Sequence, residues 1–277
     1  MRDVSMKKKW LGTWLGALPL VFSAGLALAA PIDGSNDRPV PITPPDFGPS
    51  MQQMLDATFG AGQVNALTDQ SSAAMWRTTT IPPSAQTVPL LRFENLCAGS
   101  DCTSNQFQEF GLFSATDTGG PIVRQAIFTG PAVPGANALL EWLDVDTIQI
   151  SQAGAVDPGI HTGIFNGITY HNFGFYYKFT GDSSPFLYSY DEMNPASGQT
   201  QAAMLAYNAH SGSDTWLIAF DYNAWQPIQF AMDYNDMAVK IESITPVPEP
   251  ESYAMLIAGL ALMGFVVRRR QRGLAVA

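Results

Sequence analysis

The stretch Thr215–Ile241 reads TWLIAFDYNAWQPIQFAMDYNDMAVKI and decides the fold class. It begins with an apolar run, Trp216–Phe220, which leads directly into Asp221. A polar loop follows, and a second apolar run starts at Met237. Runs of this length, bounded by turn-forming residues, are typical of β-strands. We therefore predict two strands joined by a long loop.

Similar short runs, separated by Gly, Pro and Asn, recur along the chain and give twelve candidate strands between Met75 and Ile244. Among them are Val88–Asn95, Phe107–Ser114, Thr147–Gln152, His161–Tyr170, Met204–Asn208 and Met237–Ile244. Only Met51–Leu67 shows helical spacing. Many short strands with such turns favour a β-sandwich. We predict a mostly β, jelly-roll-like sandwich as the secreted domain, over residues 51–245.

The composition excludes several classes of protein. Charged residues make up only 14% of the 277 residues, against roughly 25% in an ordinary globular protein. Residues 31–251 hold six basic and 23 acidic residues, a net charge of −17. A body this acidic repels nucleic acid, so we predict no nucleic-acid partner. The composition also argues against a coiled coil and a charged disordered tail.

The N-terminus predicts export. Lys7-Lys8-Lys9 ends a positive segment, residues 10–28 carry no charge, and Ala27-Leu28-Ala29 has the small-x-small spacing of a cleavage site. We predict a signal peptide over residues 1–29, cut by signal peptidase after Ala29 or Ala30. An uncleaved anchor is the alternative. The proline-rich residues 30–50 predict an extended linker.

The C-terminus has three parts in a fixed order. Val247-Pro248-Glu249-Pro250 is extended, because proline excludes helix there. Tyr253–Val267 is an uncharged apolar run of 15 residues, short for a membrane span of about 17 to 25. A basic stop follows, formed by Arg268, Arg269, Arg270 and Arg272. Flanking arginines can extend such a span, and they place this end in the cytoplasm.

This tail, residues 246–272 with its predicted transmembrane helix at 253–267, resembles the PEP-CTERM sorting signal of Gram-negative bacteria. The resemblance implies processing by exosortase near Pro248-Glu249-Pro250. It also implies transient anchoring in the inner membrane, followed by a destination at the cell surface or in the extracellular matrix of an exopolysaccharide-producing bacterium. A plain tail anchor is the alternative.

The loop of the opening stretch brings oxygen-bearing side chains to two strand ends. Asp221 follows the first strand, and Asp233, Asn235 and Asp236 precede the second. Calcium takes six to eight oxygen ligands, so these four residues could supply part of a calcium site. The alternative is that Asp233 and Asn235 cap the turn by accepting backbone N–H groups.

Residues 173–244 also resemble an uncharacterised, β-rich domain of bacterial surface proteins. Its hallmark is W-x-x-x-F-E-D followed by D-x-D-[YF]-N-D. Upstream, Phe173–Tyr176, Leu187–Tyr190 and Gln201–Tyr207 agree with it. The chain departs from the pattern at Asp221, which stands in place of glutamate, and at Tyr222 and Ala231, which each replace an aspartate. Two potential calcium ligands are therefore missing.

Cys97 and Cys102 are the only cysteines. An exported chain favours a disulfide between them. Two free buried thiols are the alternative. A zinc site would need further ligands nearby, and no histidine stands close to the pair in the sequence.

No catalytic motif is present: the sequence lacks H-E-x-x-H, G-x-S-x-G, a P-loop and C-x-x-C. We predict a non-enzymatic envelope or matrix protein associated with exopolysaccharide or biofilm, without a certain cofactor. One alternative is a calcium-dependent carbohydrate-binding or adhesive module. A secreted hydrolase is a further alternative, although no pairing of a nucleophile with a base supports it.

Overall fold

The computed structural model describes residues 39–44, 48–71, 73–92, 107–114, 122–130, 135–180, 185–190, 193–194, 202–209, 213–221, 233–247 and 257–265. The prediction of a mostly β protein is confirmed. The elements, in chain order, are α1 (Met51–Phe59), β1 (Trp76–Thr78), β2 (Ser84–Arg92), β3 (Phe107–Ser114), β4 (Val123–Thr129), β5 (Ala138–Trp142), β6 (Thr147–Gln152), β7 (Gly163–Asn166), β8 (Gly174–Thr180), β9 (Leu187–Tyr188), β10 (Met204–Asn208), β11 (Trp216–Phe220), β12 (Met237–Glu242) and β13 (Ile244–Pro246).

The strands of the described residues form three sheets with antiparallel pairing throughout. The largest has the order β10-β11-β12-β2-β5-β6-β7. A four-stranded sheet has the order β4-β3-β8-β9, and β1 pairs with β13 in the smallest. The opening stretch of the sequence therefore supplies β11 and β12, which are neighbours in the seven-stranded sheet.

The seven-stranded and four-stranded sheets contribute to one hydrophobic core. The ring of Phe220 in β11 lies 6.2 Å from that of Phe110 in β3, centre to centre, and 5.8 Å from that of Tyr177 in β8. Aromatic pairs at these separations stabilise a core beyond their buried area. These contacts bring β11 of one sheet against β3 and β8 of the other.

All five residues of β11 are buried, so the strand does not alternate between core and solvent. The segment that follows α1 packs against the neighbouring strand β10. Tyr207 of β10 is paired with Leu217 of β11, and its hydroxyl donates to the carbonyl of Ala66 at 2.8 Å. A strand covered on both faces is apolar throughout, as Trp216–Phe220 is in the sequence.

Part of the predicted linker is fixed to the body, which corrects the sequence interpretation at that point. Val40 is only 1% exposed and belongs to the core. Its N–H donates to Oε1 of Gln70 at 2.7 Å, and its carbonyl accepts from Nε2 of the same side chain at 2.9 Å. Proline content predicted an extended backbone, but did not reveal that one apolar residue is buried.

The predicted helix is shorter than its spacing indicated. It begins after Ser50, whose side chain and that of Gln53 form a capping box. It ends before Gly60, which has φ of +100° and therefore leaves the helical region. The predicted continuation to Leu67 is wrong, since residues 61–68 form turns.

Several predicted strands also differ in their bounds. The strand predicted at Val88–Asn95 begins four residues earlier, since β2 starts at Ser84. His161–Tyr170 pairs as a strand only over Gly163–Asn166, because Gly167 turns the chain with φ of +94°. Met237–Ile244 is divided at Ser243, which has φ of +66°, so that β13 leaves the large sheet and pairs with β1.

Residues 257–265 are helical. None of the helices in the described part of the chain is both long and apolar enough to cross a membrane. The predicted transmembrane span, Tyr253–Val267, extends beyond this helix at both ends into residues outside the described ranges. It therefore stays a prediction.

Candidate functional site

The predicted sorting signal starts where the folded body ends. Val247 donates its N–H to the carbonyl of Met75 at 2.9 Å, which continues the pairing of β13 with β1. Ile244 is tied to the large sheet as well, since its carbonyl accepts from Nε1 of Trp216 at 3.2 Å. Pro248, Glu249 and Pro250 follow at once and lie outside the described residues.

The predicted acidic turn is formed by two strand ends that meet. Asp221 is completely buried at the end of β11, and its Oδ2 accepts the backbone N–H of Tyr234 at 3.1 Å. Oδ1 of Asp233 accepts the N–H of Asn235 at 3.3 Å. The structure thus brings the two segments together as predicted, and the turn-capping role is confirmed for Asp233.

Tyr234 is the centre of this turn. It has φ of +54°, which is uncommon for a residue other than glycine. Its side chain is fully buried, and its hydroxyl donates to the carbonyl of Ala202 at 2.7 Å. The Asp221 carboxylate, bonded to the Tyr234 N–H, supports this left-handed backbone.

Asn235 and Asp236 are also buried, 9% and 3% exposed. Within the described ranges, no group of three or more His, Cys, Asp or Glu side chains is placed to hold a metal ion. The loop between Asp221 and Asp233 lies outside the description. Calcium binding at Asp221, Asp233, Asn235 and Asp236 therefore stays a prediction.

A second cluster lies on the face of the four-stranded sheet that points away from the common core. We call Glu109, Arg124, Tyr176, Lys178, Phe186 and Tyr188 the cation–aromatic cluster. Nε of Arg124 donates to the Tyr188 hydroxyl at 2.6 Å, and the Tyr176 hydroxyl donates to Oε1 of Glu109 at 2.5 Å. Both cations lie close to one ring: the guanidinium carbon of Arg124 is 4.2 Å, and Nζ of Lys178 is 4.6 Å, from the ring centre of Phe186.

Two glycines let the aromatic rings of this face lie flat on the sheet. A Cβ at Gly111 in β3 would come within 2.8 Å of the Tyr176 ring. A Cβ at Gly174 in β8 would come within 2.3 Å of the Phe113 ring. Each ring thus lies across a glycine of the neighbouring strand, where no side chain stands in its way.

The electrostatics of the cluster keep both tyrosines protonated. Burial, together with the negative charge of Glu109, raises the pKa of Tyr176 far above its ordinary value. Burial also raises the pKa of Tyr188, although its hydrogen bond from Arg124 acts in the opposite direction. The Tyr176 phenol is therefore a donor to Glu109, and the Tyr188 phenol is a neutral acceptor for Arg124.

Sequence reasoning missed the cation–aromatic cluster. The available signal was that Arg124 and Lys178 are two of only six basic residues in the body and stand among aromatic residues. Their convergence on Phe186 depends on the register of β3 with β4 and β8, which places Glu109 opposite Lys178 and Phe113 opposite Arg124. That register cannot be read from the pattern.

Comparison with known proteins identifies the tail. The profile of the PEP-CTERM protein-sorting motif matches residues 246–270. The motif implies an exported protein that exosortase recognises and that is sorted to the cell envelope. A search of curated proteins returned no match to the chain. The resemblance of residues 173–244 to an uncharacterised surface domain stays a prediction.

The remaining predicted residues lie outside the described ranges. These are the signal peptide over residues 1–29, the pair Cys97 and Cys102, and the basic stop at Arg268, Arg269, Arg270 and Arg272. The disulfide, the signal peptide and the basic stop therefore stay predictions.

Proposed function

We propose that this chain is a non-enzymatic protein of the cell envelope or extracellular matrix that is associated with exopolysaccharide. The observation that supports the proposal is the match of the PEP-CTERM sorting motif to residues 246–270, at the end of an exported β-rich body. Exosortase processes the chain near Pro248-Glu249-Pro250, after signal peptidase has removed the N-terminal segment. The producing bacterium is Gram-negative.

The body is held close to the membrane until it is processed. Five residues, 248–252, separate Val247 from the apolar run that begins at Tyr253. A fully extended chain of that length spans at most about 18 Å. Because Val247 is hydrogen-bonded to Met75, residues 248–252 are the segment that connects the folded body to the apolar run. Exosortase must therefore act directly below the body.

The body belongs to the β-sandwich class in this proposal. The support is the common core of the seven-stranded and four-stranded sheets, in which Phe220 meets Phe110 and Tyr177.

Carbohydrate binding, the second candidate function, is favoured by the cation–aromatic cluster. Arginine, lysine and aromatic rings on one face are chemically suited to an acidic sugar. The carboxylates of the acidic turn do not need to take part, because Asp221 and Asp233 are already engaged with backbone N–H groups.

The test of the sorting proposal is a pair of variants in the producing bacterium. Replacing Pro250 by alanine alters the motif, whereas replacing Pro158 by alanine alters an unrelated turn of the body. We expect the Pro250→Ala protein to be retained in the membrane fraction and the Pro158→Ala protein to be released like the native chain. Equal release of the two variants would refute recognition through the motif.

A further inference from the structure

We propose that the cation–aromatic cluster binds the carboxylate groups of an acidic polysaccharide, of the polyuronate class. The inference rests on the proposed association with exopolysaccharide and gives it a site and a ligand class. The cluster is formed by side chains of β3, β4 and β8 and by the segment that contains β9, so the folded sheet positions it.

Arg124 has the donors that a carboxylate needs. Its Nε is occupied by the Tyr188 hydroxyl. Among the described residues its two terminal NH2 groups have no hydrogen-bond acceptor, and they form the planar pair that binds a carboxylate through two parallel hydrogen bonds. The contact with the Phe186 ring and the bond to Tyr188 fix the plane of the guanidinium, so less side-chain freedom is lost when the ligand binds.

Lys178 places a second positive charge beside the first. Because both groups lie over Phe186, at 4.2 Å and 4.6 Å from its ring centre, they are at most 8.8 Å apart. In the described part of the chain, neither cation forms an ion pair with a carboxylate. Lys240 differs in this respect, since it pairs with Glu242.

Charge favours an acidic ligand at this place, although the body as a whole has a net charge of −17. Two of the six basic residues of the body converge here. Within the described residues, Glu109 forms no ion pair with either cation, and its Oε1 accepts the Tyr176 hydroxyl instead. In a polyuronate each sugar carries one carboxylate, so neighbouring sugars can present one carboxylate to each of the two cations.

The shape of the cluster favours a sugar over a lipid surface. The rings of Phe113, Tyr176 and Tyr188 are at most 4% exposed and lie flat on the sheet, while Phe186 and Tyr190 are half-buried at its rim. Membrane insertion uses protruding apolar side chains. Because these rings are buried, a ligand meets the charged groups of Arg124 and Lys178 beside Phe186 rather than an apolar surface, and fixed hydrogen-bond donors of this kind suit the carboxylate of a sugar.

The experiment measures binding of the full chain, in a neutral detergent, to polygalacturonate. Dextran is the uncharged glycan control, and a short-chain phosphatidylglycerol supplies a lipid headgroup. The variants are Arg124→Gln, Arg124→Lys and Lys178→Gln. Lys240→Gln removes a cation from the other sheet and is the matched control. Melting temperatures show whether each variant folds.

We expect binding to polygalacturonate but not to dextran, and we expect it to weaken as salt is added. Arg124→Gln should raise the dissociation constant about tenfold or more, because a hydrogen bond to a charged group contributes about 1.5–3 kcal/mol. Lys178→Gln should weaken binding too, and Arg124→Lys should restore it only in part. Lys240→Gln should bind like the native chain.

Several results would overturn the inference. These are absence of binding to polygalacturonate, equal weakening by Lys240→Gln, or tighter binding of the lipid headgroup, which would assign the cluster to a membrane. If Arg124→Gln fails to fold, Lys178→Gln still tests whether the cluster binds polygalacturonate.

Sorting is measured separately, by release from cells. A chain that is released but does not bind polygalacturonate would refute this site and leave exosortase processing intact.

Discussion

Replacing Asp221 by alanine removes the acceptor of a buried backbone N–H group. The Tyr234 N–H would lose the carboxylate oxygen that accepts it, and Asp221 and Tyr234 are both 0% exposed. A buried donor left without a partner costs about 1–3 kcal/mol. For a domain of this size, each kcal/mol lowers the melting temperature by about 2–4 °C. We therefore expect Asp221→Ala to melt about 2–12 °C below the native protein.

The matched variant, Asp221→Asn, keeps an acceptor oxygen and removes only the charge. It should lie between the native protein and the alanine variant. Asp233→Ala removes a turn cap and should cost about 1 kcal/mol. Thermal melts followed by circular dichroism, each with calcium and with chelator, measure all four proteins. If hydrogen bonds alone support the turn, each variant should lose the same amount of stability with calcium and with chelator.

Calcium binding predicts a different pattern in the same melts. A ligand at a hundredfold excess over its dissociation constant stabilises the native state by about 2.7 kcal/mol. The native protein would then melt several degrees higher in calcium than in chelator, and Asp221→Asn would lose that difference. Such a result would refute a turn held by hydrogen bonds alone. An Asp221→Ala protein as stable as the native chain would refute the hydrogen-bond reasoning itself.

Three further predictions concern other parts of the body. Gly111→Ala should destabilise the protein by about 1–3 kcal/mol or more in a urea titration, because its Cβ would lie 2.2 Å from the carbonyl oxygen of Gln125. Gly62→Ala, which meets no atom within 4 Å, should lose only about 1 kcal/mol through its positive φ. Cys97 and Cys102 should resist thiol labelling until a reductant is added, and labelling of the native protein would contradict the disulfide. Folding raises the pKa of Tyr176, so this residue should not change the free energy of unfolding below pH ~10. Above that pH the free energy of unfolding should fall by up to about 1.4 kcal/mol per pH unit, because only the unfolded state loses the phenol proton. The Tyr176→Phe variant should lack this contribution to the loss of stability at alkaline pH.

The strands were predictable because their pattern is local. Phe107–Ser114, Thr147–Gln152 and Met204–Asn208 were predicted with the bounds that the structure shows. The predicted ends of helices and strands were wrong where a single backbone angle determines where the element ends. Gly60 ends α1, and Ser243 separates β12 from β13, although serine rarely adopts a positive φ.

The two candidate sites differ in how far the sequence could predict them. Asp221 and Asp233 stand at the ends of strands that are consecutive along the described chain, so a strand–loop–strand unit predicts that they approach each other. The contact of Arg124 with Phe186 joins residues of β4 to the segment before β9. It depends on which strands are neighbours and on their register, and neither is encoded in a local pattern.

The mass of the protein recovered from outside the cells tests processing by exosortase most directly. We expect a chain that begins at Ala30 or Pro31 and ends within or next to Pro248-Glu249-Pro250, without Arg268, Arg269, Arg270 and Arg272. In a strain that lacks exosortase, the same chain should remain in the membrane fraction with its C-terminus intact. An extracellular protein that still carries residues 253–277, or equal release from both strains, would contradict sorting by this motif.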